Sequence, residues 1–176
     1  MTIKVLEKEQ GCLPKIIEKG EWIDLCTSRE ISLKAPYANM LKRSRKNKED
    51  ERVRIVDFNF TLIPLGICMR MPEGFEGILA PRSSTFLKYG ILQSNSIGII
   101  DQAFASDKDE WKMAVLATRD IIIPKGTRIA QFRIQLSQKA TIWQKLKWLF
   151  SNKIKIKVVD SLEGEERSGF GSTGEK

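Results

Sequence analysis

Phe58-Asn59-Phe60-Thr61-Leu62-Ile63-Pro64, then Gly66-Ile67-Cys68-Met69-Arg70-Met71 and the turn Pro72-Glu73-Gly74, is the stretch that decides the fold class. Each run alternates along its length, the period of a strand with one buried face. Each ends at a proline, which cannot donate to a central β-ladder. Outward from this pair the same punctuation recurs: Ile31 to Leu33 before Ala-Pro, Gly77-Ile78-Leu79-Ala80, Gly98-Ile99-Ile100, and Trp111 to Thr118. Asp120-Ile121-Ile122-Ile123 meets Pro124-Lys125-Gly126, and Ile129 to Leu136 follows. Met1 to Lys8 also reads as an alternating strand rather than a signal peptide. Strands at this spacing predict an all-β barrel or jelly roll in one domain, with no internal repeat or low-complexity linker.

The 176 residues include no histidine, which removes Ser-His-Asp and Cys-His nucleophile schemes, histidine acid–base chemistry and histidine-containing zinc sites. Catalysis here must run on carboxylates, hydroxyls, Lys, Arg, backbone amides or a metal brought in by the substrate. Thirty Lys+Arg against 22 Asp+Glu give a formal charge of +8, which favours polyanionic partners or phosphorylated small molecules. Cys12, Cys26 and Cys68 are odd in number and lack CxxC spacing, so a reducing, cytoplasmic location is expected. No run approaches the ~20 apolar residues of a membrane span.

Two stretches interrupt the strand pattern. The charge-dense insertion over 37–54 reads as a solvated loop or short helix. Glu49-Asp50-Glu51 dilutes its basic run and no aromatic is interleaved for base stacking, so nucleic acid is not the expected partner. The insertion over 141–153 carries Ile142, Trp143, Leu146, Leu149 and Phe150 at helical spacing, predicting a short helix docked on the barrel or on a partner subunit. The tail after Leu162 holds glycines at 164, 169, 171 and 174 and reads as a mobile segment that orders over something.

Four pieces carry candidate chemistry. Ala80-Pro81-Arg82-Ser83-Ser84 sets a guanidinium and two hydroxyls in a turn after a strand, a phosphate cradle or merely a capped turn. Gly98-Ile99-Ile100-Asp101 places a carboxylate at a strand end, where it could hold a water or simply cap a turn. Gly126-Thr127-Arg128-Ile129-Ala130-Gln131-Phe132 feeds Arg128 and Gln131 onto a strand. Arg167-Ser168-Gly169-Phe170-Gly171-Ser172-Thr173-Gly174 exposes amides for anionic oxygens and one ring for a base, without the spacing of a Walker A loop.

Taken in this order, the four pieces resemble the ordered motif set of the homotrimeric dUTPase family, with affinities to phage-type or Firmicutes-type members. Gly20-Glu21-Trp22-Ile23-Asp24-Leu25 is a weaker counterpart of the first motif, and Pro72 to Gly77 and Lys88-Tyr89-Gly90-Ile91 add agreement between motifs. The resemblance implies a dUTPase-like jelly roll over 1–162, and a tail over 163–176 that closes a neighbour's active site in a homotrimer. It implies hydrolysis of dUTP to dUMP and pyrophosphate, with Asp101 deprotonating the water that attacks the α-phosphorus. Asn95 would read uracil in a pocket that includes Gly98. Arg82, Ser83 and Ser84 would contact the triphosphate, Gln131 would bind phosphate, and Asp24 would support that end of the site. Phe104 would stack on deoxyribose, Phe170 on the base, and Gly171, Ser172, Thr173 and Arg167 would meet the outer phosphates. Mg2+ would be held by the triphosphate and water, with no direct protein ligand.

The chain departs from that pattern in places. Phe104 stands where the family has Tyr, Ala105 to Glu110 makes a longer acidic loop, and Arg167 lies only three residues before Phe170. A related family of dCTP deaminases needs a glutamate on the strand after the third motif, and Trp111 to Thr118 contains no acid. A third reading is a dUTPase-fold regulatory protein that uses dUTP as a switch for a protein partner, with the two insertions as its contact surfaces.

Overall fold

The axis of the fold is a strand over Arg128–Leu136 whose Ala130, Phe132 and Ile134 face inward while Arg133 faces out. The structure, a computed structural model, describes residues 1–39, 55–150 and 153–167. In chain order its elements are β1 (Thr2–Glu7), β2 (Lys15–Ile16), β3 (Ile23–Cys26), β4 (Ile31–Leu33), β5 (Tyr37–Asn39), β6 (Ile55–Asp57), β7 (Phe60–Pro64), β8 (Ile67–Arg70) and β9 (Phe75–Pro81). Then follow α1 (Thr85–Tyr89), β10 (Ile91–Gln93), β11 (Gly98–Ile100), β12 (Lys112–Ala117), β13 (Ile121–Ile123), β14 (Arg128–Leu136), α2 (Ile142–Phe150) and β15 (Lys155–Val158).

The all-β expectation holds. The largest sheet runs β11-β9-β14-β3-β2, and smaller sheets β15-β1-β8, β10-β12-β7 and the pair β13-β4 surround the same core. β5 pairs with β6, so the ends of the basic insertion form a two-stranded ribbon; residues 40–54 lie outside the described residues. Between the sheets lie Ile3, Val5, Ile63, Leu65, Ile67, Met69, Phe75, Trp111, Met113 and Phe132, each essentially without exposure. Trp111 meets Phe132 edge-on at 5.3 Å, and a Cβ on Gly77 would come within 2.6 Å of the indole, so β9 needs glycine there. Burial pushes the thiols of Cys12 and Cys68 up to about 12, leaving them protonated and unreactive at neutral pH.

Helix α2 forms over the predicted residues but turns the other way. Ile142, Trp143, Leu149 and Phe150 are exposed, and the indole that packs is Trp148, 5.3 Å from the ring of Phe75. Gln144, one turn earlier on that face, lies over Gly74. Residues four apart share a helix face, so Gln144 and Trp148 dock and the more apolar stripe faces outward. Among the described residues no helix is long and apolar enough to cross a membrane.

Candidate active site

Three separate segments converge on Asp24. Register places Asp24 of β3 opposite Gln131 of β14, and Gln131 opposite Ala80 of β9, so the three lie in line across the sheet. The neighbouring line, Ile23–Phe132–Leu79, is buried core, and strand alternation therefore sends Asp24 and Gln131 to the other face. Even there Asp24 is only 4% exposed, because two guanidinium groups cover it. Arg82 Nε donates to its Oδ1 at 3.0 Å and Arg128 Nη1 donates to its Oδ2 at 2.9 Å. Gln131 Nε2 donates to the carbonyl of Pro81 at 3.0 Å, fastening the end of β9.

A register shift makes this convergence work. Arg128 and Gln131 are three residues apart, and strict alternation would put them on opposite faces. The ladder is irregular between Arg128 and Ala130, so Arg128 pairs with Cys26 and joins the Asp24 side. Bulges re-aim side chains in this way. Beyond β9, Arg82 starts the turn into α1: its amide donates to Ile129 O at 3.2 Å and its carbonyl accepts from Thr85. Ser83 is exposed in that turn, and Ser84 occupies the N-cap position without a side-chain cap bond.

The second cluster stands at the other end of β9. Gly98, Ile99 and Ile100 of β11 pair with Leu79, Ile78 and Gly77, which carries Asp101 out past Gly77. From Glu76 to Arg82 is six residues, about 20 Å at ~3.3 Å per residue. Arg82 and Asp101 are therefore far apart within one chain. Flanking Asp101 in sequence are the exposed Asn95, the buried Gly98, and Phe104, whose ring packs against the core. Asp101 Oδ1 accepts from the Ala103 amide at 3.0 Å, and the Phe104 amide donates to the Asp101 carbonyl at 3.2 Å. A Cβ on Gly98 would sit 3.2 Å from the Cβ of Leu79, so glycine lets β11 lie close on β9.

Arg167 joins this second cluster, with its Nη1 against Asp101 Oδ1. The acidic loop that departs from the family pattern holds it there. Asp107 accepts from the Ser161 hydroxyl at 2.8 Å and the Leu162 amide at 2.6 Å. These two bonds hold the Asp107 carboxyl below the usual carboxylate range. Asp109, 2% exposed, accepts from the amides of Ser106 and Arg167. Leu162 is buried, so the chain is held as far as Arg167. Phe170, Gly171, Ser172 and Thr173 lie outside the described residues. Sequence reasoning left out Arg128 as a partner of Asp24, and the carboxylates of Asp107 and Asp109. Only the strand position of Arg128 hinted at it.

A family model described as dUTPase matches residues 48–174. The SPbeta prophage-derived deoxyuridine 5'-triphosphate nucleotidohydrolase YosS of Bacillus subtilis is 36% identical over 176 residues, spanning 100% of this chain and 99% of that protein. The chain belongs to the dUTPase family. A solved dUTPase mutant from phage phi11 of S. aureus shares its fold, with a TM-score of 0.58 at 13% identity over 81% of this chain and 95% of that one. That structure concerns the coordination of a structural Mg(II) ion. Staphylococcus bacteriophage 80alpha dUTPase is similar at a TM-score of 0.56 and 15% identity, over 80% and 93% of the two chains. Phage dUTPases of that kind are described as controlling transfer of virulence genes by a proto-oncogenic G protein-like mechanism. Within this dUTPase-family chain, the counterparts of the first, second and fourth motifs gather at Asp24, while the third and the start of the fifth gather at Asp101.

Proposed function

We propose that the chain hydrolyses dUTP to dUMP and pyrophosphate, using Asp101 as the base and the Asp24–Arg82–Arg128–Gln131 cluster as the phosphate side. The observation that carries this reading is the gathering of Arg82 and Arg128 on one buried carboxylate, with Gln131 beside it on the same face. Hydrolysis at phosphorus asks mainly for positioning and charge neutralisation, and this cluster offers both without histidine. Asp101 would take a proton from the attacking water as its oxygen bonds to the α-phosphorus. The bond from the α-phosphorus to the bridging oxygen would break, with pyrophosphate leaving on the electron pair.

Arg82 and Gln131 would receive phosphate oxygens, Ser83 would sit near the bond that breaks, and Ser84 would lie behind it. Asn95 and the backbone beside Gly98 would read uracil, with Phe104 against the sugar. From the tail over 163–176, Phe170 would cover the base while Arg167, Gly171, Ser172 and Thr173 would meet the outer phosphates. Both oxygens of Asp24 are committed to guanidinium groups, so that carboxylate is not open to a metal. Magnesium would be carried in by the triphosphate and water and would supply charge neutralisation at the phosphates.

The ~20 Å between Arg82 and Asp101 is too long for one nucleotide's α-phosphate to meet both within one chain. A working site therefore draws its base side from one copy and its phosphate side from another, in keeping with a homotrimer. Leu92, Ile97 and Ile99 are exposed beside Asn95 and Asp101, an apolar surface suited to burial against a second copy. The test is pyrophosphate release from dUTP with Mg2+, with dCTP, dTTP and UTP in parallel. Fast turnover of dUTP alone supports the reading; deamination of dCTP or turnover of none overturns it.

A second reading adds signalling to catalysis. Its observation is α2, whose Ile142, Trp143, Leu149 and Phe150 face outward between Lys145, Lys147 and Lys139. Such a face suits a protein partner whose affinity depends on bound nucleotide. Substituting Trp143 and Phe150 by serine would abolish partner capture in the presence of dUTP while pyrophosphate release stays intact.

A further inference from the structure

β10 ends in a side chain with no part in the proposed chemistry. Gln93, the last residue of β10, reaches across to β9, where its Nε2 donates to the carbonyl of Leu79 at 3.2 Å. The same Nε2 donates to Oδ1 of Asn95 at 3.1 Å. Its Oε1 is buried and accepts no hydrogen bond among the described residues. Leaving a buried acceptor unmet is unfavourable, so this amide orientation is held against a penalty.

The direction of the chain of bonds follows from chemistry. A backbone carbonyl only accepts, so Leu79 requires the nitrogen of Gln93 rather than its oxygen. That nitrogen then requires the oxygen of Asn95. The amide of Asn95 is left with its nitrogen, two N–H donors, turned away from Gln93. The turn is tight around it: Ser96 has φ of 59°, and the Ile97 amide donates to the Asn95 carbonyl at 2.6 Å. The backbone thus restricts Asn95 while Gln93 sets its polarity.

We infer that Gln93 is a specificity-determining positioning residue, fixing the Asn95 amide so that it presents a donor to the base and selects uracil over cytosine. This rests on the reading that Asn95 faces the base. Uracil carries an acceptor at its 4-position and a donor at N3, whereas cytosine carries a donor at its 4-position and an acceptor at N3. An amide locked with nitrogen outward complements uracil and opposes the amino group of cytosine. Sites built to pair a polar group discriminate strongly, because the wrong base leaves buried groups unmet. Gln93 touches no part of the nucleotide and acts through Asn95.

The test is affinity of the full-length protein for dUMP and for dCMP, measured by calorimetry, so that it stands apart from turnover. Wild-type protein prefers dUMP. In Gln93→Glu the carboxylate cannot donate to Leu79 and accepts from the nitrogen of Asn95, turning that amide over. The preference for dUMP then falls at least tenfold, with dCMP binding gained. Gln93→Leu releases Asn95 and lowers the ratio through loss of dUMP affinity. An unchanged ratio in a variant that melts with wild-type cooperativity overturns the role of Gln93, as does equal weakening of both nucleotides. A wild-type protein without preference for dUMP instead sinks the base-pocket reading itself, whatever the variants do.

Discussion

Arg82 and Asp24 meet at 3.0 Å across β14, a strand to which neither belongs. Asp24 is buried while Arg82 keeps one edge in reach of solvent, so the carboxylate works as an anchor and the guanidinium as the presented group. Arg128 completes the arrangement from the bulged start of β14.

Asp24→Ala removes one acceptor from two arginines and leaves both without their anchor. Loss of a fully buried ion-pair partner costs 3–5 kcal/mol; the arginines here are 29% and 41% exposed, which discounts it to about 1–3 kcal/mol. Urea unfolding should show that loss, and KM for dUTP should rise. A midpoint equal to wild type would refute the anchoring role.

Asp101→Asn keeps the size of the side chain and removes its basicity. dUTP binding is retained while turnover falls by about 10²–10⁴-fold, the usual contribution of a general base. Single-turnover kinetics separate the two quantities, and undiminished turnover would eliminate Asp101 as the base.

Asp109 uses both oxygens on backbone amides, so Asp109→Ala unfastens Arg167 as well as the 106–109 turn. With the tail in its proposed role at the outer phosphates, affinity for a non-hydrolysable dUTP analogue should drop severalfold while dUMP affinity holds. Deleting 168–176 should abolish most activity with the same melting curve. Equal losses for both ligands in the Asp109 variant would reduce it to a folding defect.

Asp107 gives the tail a pH dependence. Its carboxyl lies below the ordinary 3.8 because the Leu162 amide and the Ser161 hydroxyl donate to the charged form. A depressed folded value contributes stability that is fully present above the unfolded value and fades as pH falls through the folded one. Protection of the Leu162 amide from hydrogen exchange should therefore hold from neutrality down to about pH 4 and weaken below it. Protection that already faded between pH 7 and 5 would assign the anchor to another group.

Phe104 keeps an aromatic face against the core but lacks a hydroxyl. Phe104→Tyr should change the ratio of kcat/KM for dUTP over UTP by severalfold. An identical ratio would mean that the missing hydroxyl has no part in sugar choice.

Strand alternation with proline and glycine punctuation was enough to predict the runs that became β1, β4, β7, β8, β9, β11, β12, β13 and β14. Helix α1 escaped notice because five residues offer no helical period; Ser84 and Gly90, its two caps, were its only local trace. β2, β3, β10 and β15 were not read from the sequence; pairing with neighbours fixes them as strands. The helical period of α2 was legible, but the docked face was not. Hydrophobicity favoured Ile142, Trp143 and Leu149, whereas the ring that packs on Phe75 is Trp148.

By itself the sequence determined the family through the order of its motifs, the all-β class through alternation and proline punctuation, and a phosphate chemistry without histidine through its composition. Only tertiary structure decided which of those residues meet. Period-two alternation read along β14 would separate Arg128 from Gln131; the irregularity after Arg128 puts them on one face, and pairing with β3 brings Asp24 between them. Pairing with β9 also holds Asp101 and Arg82 at opposite ends of one strand. Such relations depend on register between segments as far as 104 residues apart, as Asp24 and Arg128 are, which no local period encodes.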